Sequence, residues 1–167
     1  MKKILWVCFV LVSTKSFAQD IYVSPLSKFS AGTKKITSIS FSDDSQWISV
    51  ADEKNIVSLR KVGETTPTKQ FSFTGSVAIQ EFIDGGKKFL TLDKTGKLWI
   101  YEVGSFTESV STPLAPNIKE ACLDPTHQYL TSFNKDNQIE IFDLKTGMTL
   151  GRMPRSRSSK KCSLPRL

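Results

Sequence analysis

Apolar residues recur along this chain in short runs, each closed by a cluster of turn-forming residues. The run Ile36-Thr-Ser-Ile-Ser-Phe41 breaks at Ser42-Asp43-Asp44-Ser45. Trp47 to Ala51 follows, then Ile56-Val-Ser-Leu-Arg60 after a turn that ends on Asn55. The whole set then returns. Phe41, Phe82 and Leu123 are spaced by 41 residues, and the same step links Ile36, Val77 and Ile118. It also links Ile48, Phe89 and Leu130; Val57, Leu98 and Ile139; Leu59, Ile100 and Ile141. Asp52, Asp93 and Asn134 keep it, as do Asn55, Gly96 and Asn137. Chance gives one such ladder, not seven in a single ungapped register. The chain holds three copies of one unit.

Each unit predicts consecutive short strands, and no window of useful length shows helical periodicity. The second copy breaks its first hairpin at Asp84-Gly85-Gly86 and the third at Asp124-Pro125-Thr126, residues that accept left-handed backbone or fix φ. The second strand falls at Trp47–Ala51, Lys88–Leu92 and Tyr129–Phe133. Asn55, Gly96 or Asn137 ends the next turn, where a tight hairpin asks for positive φ. The third strand falls at Ile56–Arg60, Lys97–Tyr101 and Gln138–Phe142, and Thr68–Phe73 and Ser109–Leu114 supply a fourth, outer strand.

Asp136-Asn-Gln-Ile-Glu-Ile-Phe-Asp-Leu-Lys-Thr-Gly147 resembles the end of a WD repeat, with a polar hairpin leading into a strand that closes on an aromatic-Asp pair. Lys97-Leu-Trp-Ile-Tyr-Glu-Val103 is similar, with Tyr101-Glu102 at the pair, and Ile36 to Ala51 resembles the family's first two strands. Ser76 after Gly75, where the family often has His, and Arg60 in place of an aromatic mark a divergent, bacterial type of WD40-like repeat. The resemblance covers roughly residues 36–147. It implies an all-β fold, a partial β-propeller of three four-stranded antiparallel blades at 36–76, 77–117 and 118–151. Trp47, Trp99, Tyr101, Tyr129 and Phe142 then take blade-packing positions.

Three blades do not close a ring, because propellers of this kind have about four to eight. Three explanations fit an open arc: a fragment of a longer propeller, a homo-oligomer that closes the ring, or an arc capped by its two terminal segments.

The ends differ from the middle. Lys2 and Lys3, the apolar run Ile4–Val12 and Ser16-Phe17-Ala18 read as a signal peptide over residues 1–18, too short for a membrane span of about twenty residues. Cleavage after Ala18 and export to the periplasm or beyond are expected, with residues 19–35 as a lead-in. The net charge of +7 is carried by Lys2, Lys3 and Lys15 and by six Arg or Lys from Arg152 onward, so the middle is mildly acidic. This argues against nucleic-acid binding by the folded part. Residues 152–167 are expected to be a basic, disordered tail. Cys122 and Cys162 are expected as a half-buried strand thiol and an unrelated tail thiol, since pairing would require the tail to fold back.

Candidate chemistry is sparse. His127 is the sole histidine, Cys122 and His127 alone make no metal site, and no strained nucleophile turn accompanies His127. Gly85-Gly86, followed by Lys87-Lys88, reads as a hairpin turn and not a phosphate loop. Asp43, Asp44, Asp52, Glu53, Asp84 and Asp93 recur in the repeat register, which assigns them to turns. The first strands offer only Thr37, Ser38, Ala78, Gln80, Lys119 and Glu120 to a central channel. No catalytic, cofactor or metal residue is assigned. The resemblance implies an exported, non-enzymatic scaffold that binds a protein through propeller loops. A carbohydrate-binding propeller is the alternative, followed by a propeller hydrolase or lyase.

Overall fold

The computed structural model describes residues 34–154; the expected signal peptide, most of the lead-in and the segment 155–167 lie outside the described residues. Twelve strands follow one another with no helix between them. They are β1 (Ile36–Phe41), β2 (Trp47–Asp52), β3 (Ile56–Lys61), β4 (Lys69–Ser72), β5 (Val77–Ile83) and β6 (Lys88–Asp93). Then come β7 (Lys97–Glu102), β8 (Glu108–Pro113), β9 (Ile118–Leu123), β10 (Tyr129–Asn134), β11 (Gln138–Asp143) and β12 (Met148–Pro154). They pair antiparallel, in chain order, as three four-stranded sheets, each the product of one sequence copy.

The first strands are neighbours: β5 lies between β1 and β9. The sheets therefore stand side by side around their first strands, as a partial β-propeller in which no sheet closes on another to complete the ring.

The repeat extends to individual backbone bonds. Glu53, Lys94 and Lys135 donate their amides to the carbonyls of Lys35, Ser76 and Asn117. At the other end, Val62, Val103 and Leu144 donate to Gln46, Lys87 and Gln128. Both sets advance by the 41-residue step of the sequence.

Side-chain caps repeat too. Asp52 Oδ1 accepts from the amides of Lys54 and Ile56, Asp93 Oδ1 from Thr95 and Lys97, and Asn134 Oδ1 from Asp136 and Gln138. This is the turn-forming role expected of those positions, because an Asx side chain satisfies amides that a tight hairpin leaves unpaired. Asn55, Gly96 and Asn137 adopt φ of 63°, 93° and 58°, the left-handed backbone that their residue types tolerate.

Two cores fill the spaces between sheets. Trp47, Ala51, Val57, Leu59 and Phe73 of the first sheet meet Phe82, Phe89 and Tyr101 of the second. Phe71 stacks on Tyr101 at 4.2 Å between ring centroids, and Phe73 packs on Trp99 at 4.7 Å. Ile83, Leu90, Leu92, Leu98, Ile100 and Leu114 of the second sheet meet Ile118, Leu130 and Phe142 of the third. Side chains alternate across each strand, so β6 of the middle sheet, with a core on either side, is buried on both faces from Phe89 to Asp93.

Tyr129 departs from its expected packing role. It is exposed, at 38%, whereas Trp47 at the same repeat position is buried. Trp47 has the second sheet against it, whereas among the described residues no following sheet stands against Tyr129.

The last strand departs as well. β12 runs to Pro154, so the boundary expected at Gly151 falls inside it, and Arg152 is a strand residue. Arg152 pairs with Glu140 at 3.1 Å, a carboxylate that also accepts from Thr149 Oγ1 and, across to the second sheet, from the Ala115 amide.

Candidate functional site

The hairpins joining first to second and third to fourth strands all lie on one rim of the arc. Between them is an open cleft of about 590 Å³, lined by Asp43 of the first sheet, Ile83, Asp84, Gly85 and Lys88 of the second, and Pro125 to Gln128, Leu144 and Lys145 of the third. All three copies contribute.

Local chemistry shapes each wall. Ser42 Oγ donates to Asp44 Oδ1, which also accepts from the Gln46 amide. These bonds, the Ser42 hydroxyl first, hold the Asp44 carboxyl below its ordinary pKa. Gly86 sits at φ +87° with its α-carbon against that carboxylate: a β-carbon there would lie 3.0 Å from it. The first and second sheets thus meet at their turns, and Gly85-Gly86 is the hairpin turn expected of it. Lys88 Nζ approaches Asp84 at 3.5 Å.

In the third sheet Asp124 organises the turn. It accepts from the Thr126 hydroxyl and from the amides of Thr126, Gln128 and Tyr129. Burial alone would raise its carboxyl pKa, but the Thr126 hydroxyl and these amides together bring it below the ordinary value. His127 takes φ 54° at the turn's corner and lines the cleft, half-buried. Asp143 accepts from the amides of Lys145 and Thr146, which, with Thr146 foremost, lower its pKa.

The cleft therefore presents alternating charge, Asp43 and Asp84 beside Lys88 and Lys145, with one imidazole and apolar Ile83 and Leu144 in its wall. The lining is thus both charged and apolar. Among the described residues no group of three or more His, Cys, Asp or Glu lies close enough to hold a metal ion.

The first-strand residues offered to a channel differ in exposure. Thr37 and Lys119 are exposed, while Gln80 is turned between the first and second sheets, where its Nε2 donates to the Ser38 carbonyl at 3.2 Å. Its partner across the ladder is Thr91, also buried. Arg60 is buried at the aromatic position of the repeat, its Nη1 donating to the Thr65 carbonyl, and burial lowers its pKa.

The expectation of an unpaired Cys122 is overturned: Cys122 is disulfide-bonded, and its partner lies outside the described residues. A lone strand cysteine carries no local sign of its partner, so sequence spacing missed it.

No family model matches this chain, and no curated protein matches its sequence. Among the described residues no helix is long and apolar enough to cross a membrane.

Proposed function

We propose that this chain is an exported, non-enzymatic binding scaffold that engages a protein partner through the turns of one rim. The observation that carries this reading is the cleft shared by all three sheets, in which Asp43, Asp84, Lys88, His127 and Lys145 are presented on hairpins held by repeated hydrogen bonds. Binding groups on a rigid frame lose little freedom when a partner arrives. Mixed charge with apolar patches suits a protein surface and gives orientation through charge complementarity. The resemblance of residues 36–147 to WD40-like repeats, a family of interaction platforms, points the same way by analogy.

The test is affinity capture from the envelope fraction with the exported protein and with an Asp84→Ser, His127→Ser, Lys145→Ser variant. One stoichiometric protein partner, lost with the variant, is the expected result. Retention of the partner by the variant contradicts the reading, and selective binding on a glycan array replaces it with the carbohydrate-binding one.

A further inference from the structure

Phe106 stands in the hairpin between β7 and β8 with φ 55°, in the left-handed region. A bulky side chain is strained there, and glycine is not. One repeat later the same turn carries Gly147, at φ 72°. The two residues make the same bond, donating their amides to the Glu102 and Asp143 carbonyls at 2.8 and 2.9 Å. The backbone of this turn therefore asks for glycine in both sheets, and the second sheet holds phenylalanine instead.

Contacts with the first sheet hold the strained residue in place. Phe106 is half-buried and meets Trp47 as a T-shaped pair, with ring centroids 5.7 Å apart and planes at 85°. It packs, with Val103, on the core between the first and second sheets.

The repeat shows what Phe106 fills. Between the second and third sheets, Asp84, Lys88 and Leu144 line the open cleft. One repeat earlier those places are Asp43, Trp47 and Val103, at the junction of the first and second sheets. Where the second junction is open, the first is closed by the Phe106 ring.

We propose that Phe106 plugs a second copy of the cleft, and that an aromatic side chain of the partner protein takes its place over Trp47. This rests on the reading that the rim meets a protein partner. Phe106 itself marks the chemistry that fits: an uncharged ring set across the Trp47 indole, with the Lys61 ammonium 5.9 Å from the centre of that indole. One such ring pair is worth about as much as left-handed backbone costs a bulky residue, so the plugged and swung-out turns lie close in free energy. Leaving, Phe106 releases its strain, and the incoming ring restores the contact with Trp47.

Amide hydrogen exchange of the exported full chain, read by NMR, tests the plug. Corrected for intrinsic rates, the Phe106 amide should exchange severalfold faster than the Gly147 amide. Phe106→Gly should slow exchange at 106 toward the Gly147 rate, and Phe106→Asn, the other residue type at ease in this backbone, should do the same. A Phe106 amide slower than Gly147, or faster exchange in both variants, makes Phe106 a packing anchor and overturns the proposal.

The seat over Trp47 is tested with N-acetylphenylalaninamide, followed on the Trp47 indole N–H resonance. A saturable shift is expected in Phe106→Gly and Phe106→Asn, with severalfold weaker affinity for the native chain. No shift in either variant, or equal affinity for variants and native chain, overturns it. The probe is a single amino-acid derivative, so this site and the rim's binding of a whole protein partner fail separately.

Discussion

Phe41 and Phe82 hold the same place in successive sheets, each near the end of a first strand, yet Phe41 is 60% exposed and Phe82 is 2% exposed. The difference lies in what stands before each sheet. Phe82 faces the first sheet and packs on Phe89 at 5.0 Å, whereas nothing described precedes Phe41. Phe82→Ala should therefore cost ~3–5 kcal/mol and Phe41→Ala less than about 1, read from urea denaturation midpoints. Equal costs would show that the first sheet's outer face is packed as an interior.

Glu140 is buried, and it joins β12 to β11 and the third sheet to the second. Glu140→Ala leaves the Ala115 amide and the Arg152 guanidinium without their acceptor. The expected loss is ~2–4 kcal/mol, larger than for Arg152→Ala, because Arg152 is largely exposed and water can serve it. Chemical denaturation of the two variants gives the order directly.

Gly96 and Gly63 share φ +93° but differ in surroundings. A β-carbon at Gly96 would lie 2.7 Å from the Ala115 carbonyl oxygen, and at Gly63 it would meet nothing within 4 Å. Gly63→Ala should cost ~1–2 kcal/mol, from the backbone alone. Gly96→Ala should cost distinctly more, since backbone must move, and a melting-temperature comparison distinguishes them.

Tyr101 is buried under Phe71, and that burial, with a smaller effect of the Glu108 charge, pushes its phenol up to about 12. Unfolding returns it to about 10, so the unfolded chain releases this proton first as pH rises. The contribution is intact below pH ~10 and is lost between ~10 and 12. Tyr101→Phe should flatten the fall in stability over that window relative to the native chain; identical alkaline profiles would place the phenol in water.

Much of this was legible because the repeat averages over local ambiguity. The 41-residue step placed the strands, the positive-φ residues Asn55, Gly96 and Asn137, and the turn role of Asp52 and Asp93. It failed where a position depends on a neighbour outside its own copy. Tyr129 is aromatic like Trp47, but among the described residues no following sheet buries it. Arg152 reads as the start of a basic tail, and its place opposite Glu140 in the β11–β12 ladder, twelve residues earlier, identifies it as strand. The rim cleft was hidden for a similar reason: each copy's turn is ordinary alone, and the site exists only where Asp43, Asp84 and His127 are brought together.

On the proposed reading this rim, and not the opposite one, meets a protein partner. Site-specific photocrosslinking in the native envelope tests it most directly, with the crosslinker placed at Thr126 or Gln128 on the rim and at Lys54 or Asp136 on the far side. Discrete protein adducts from 126 and 128 alone are predicted. Adducts from 54 and 136 alone, or from none of the four, would contradict the claim.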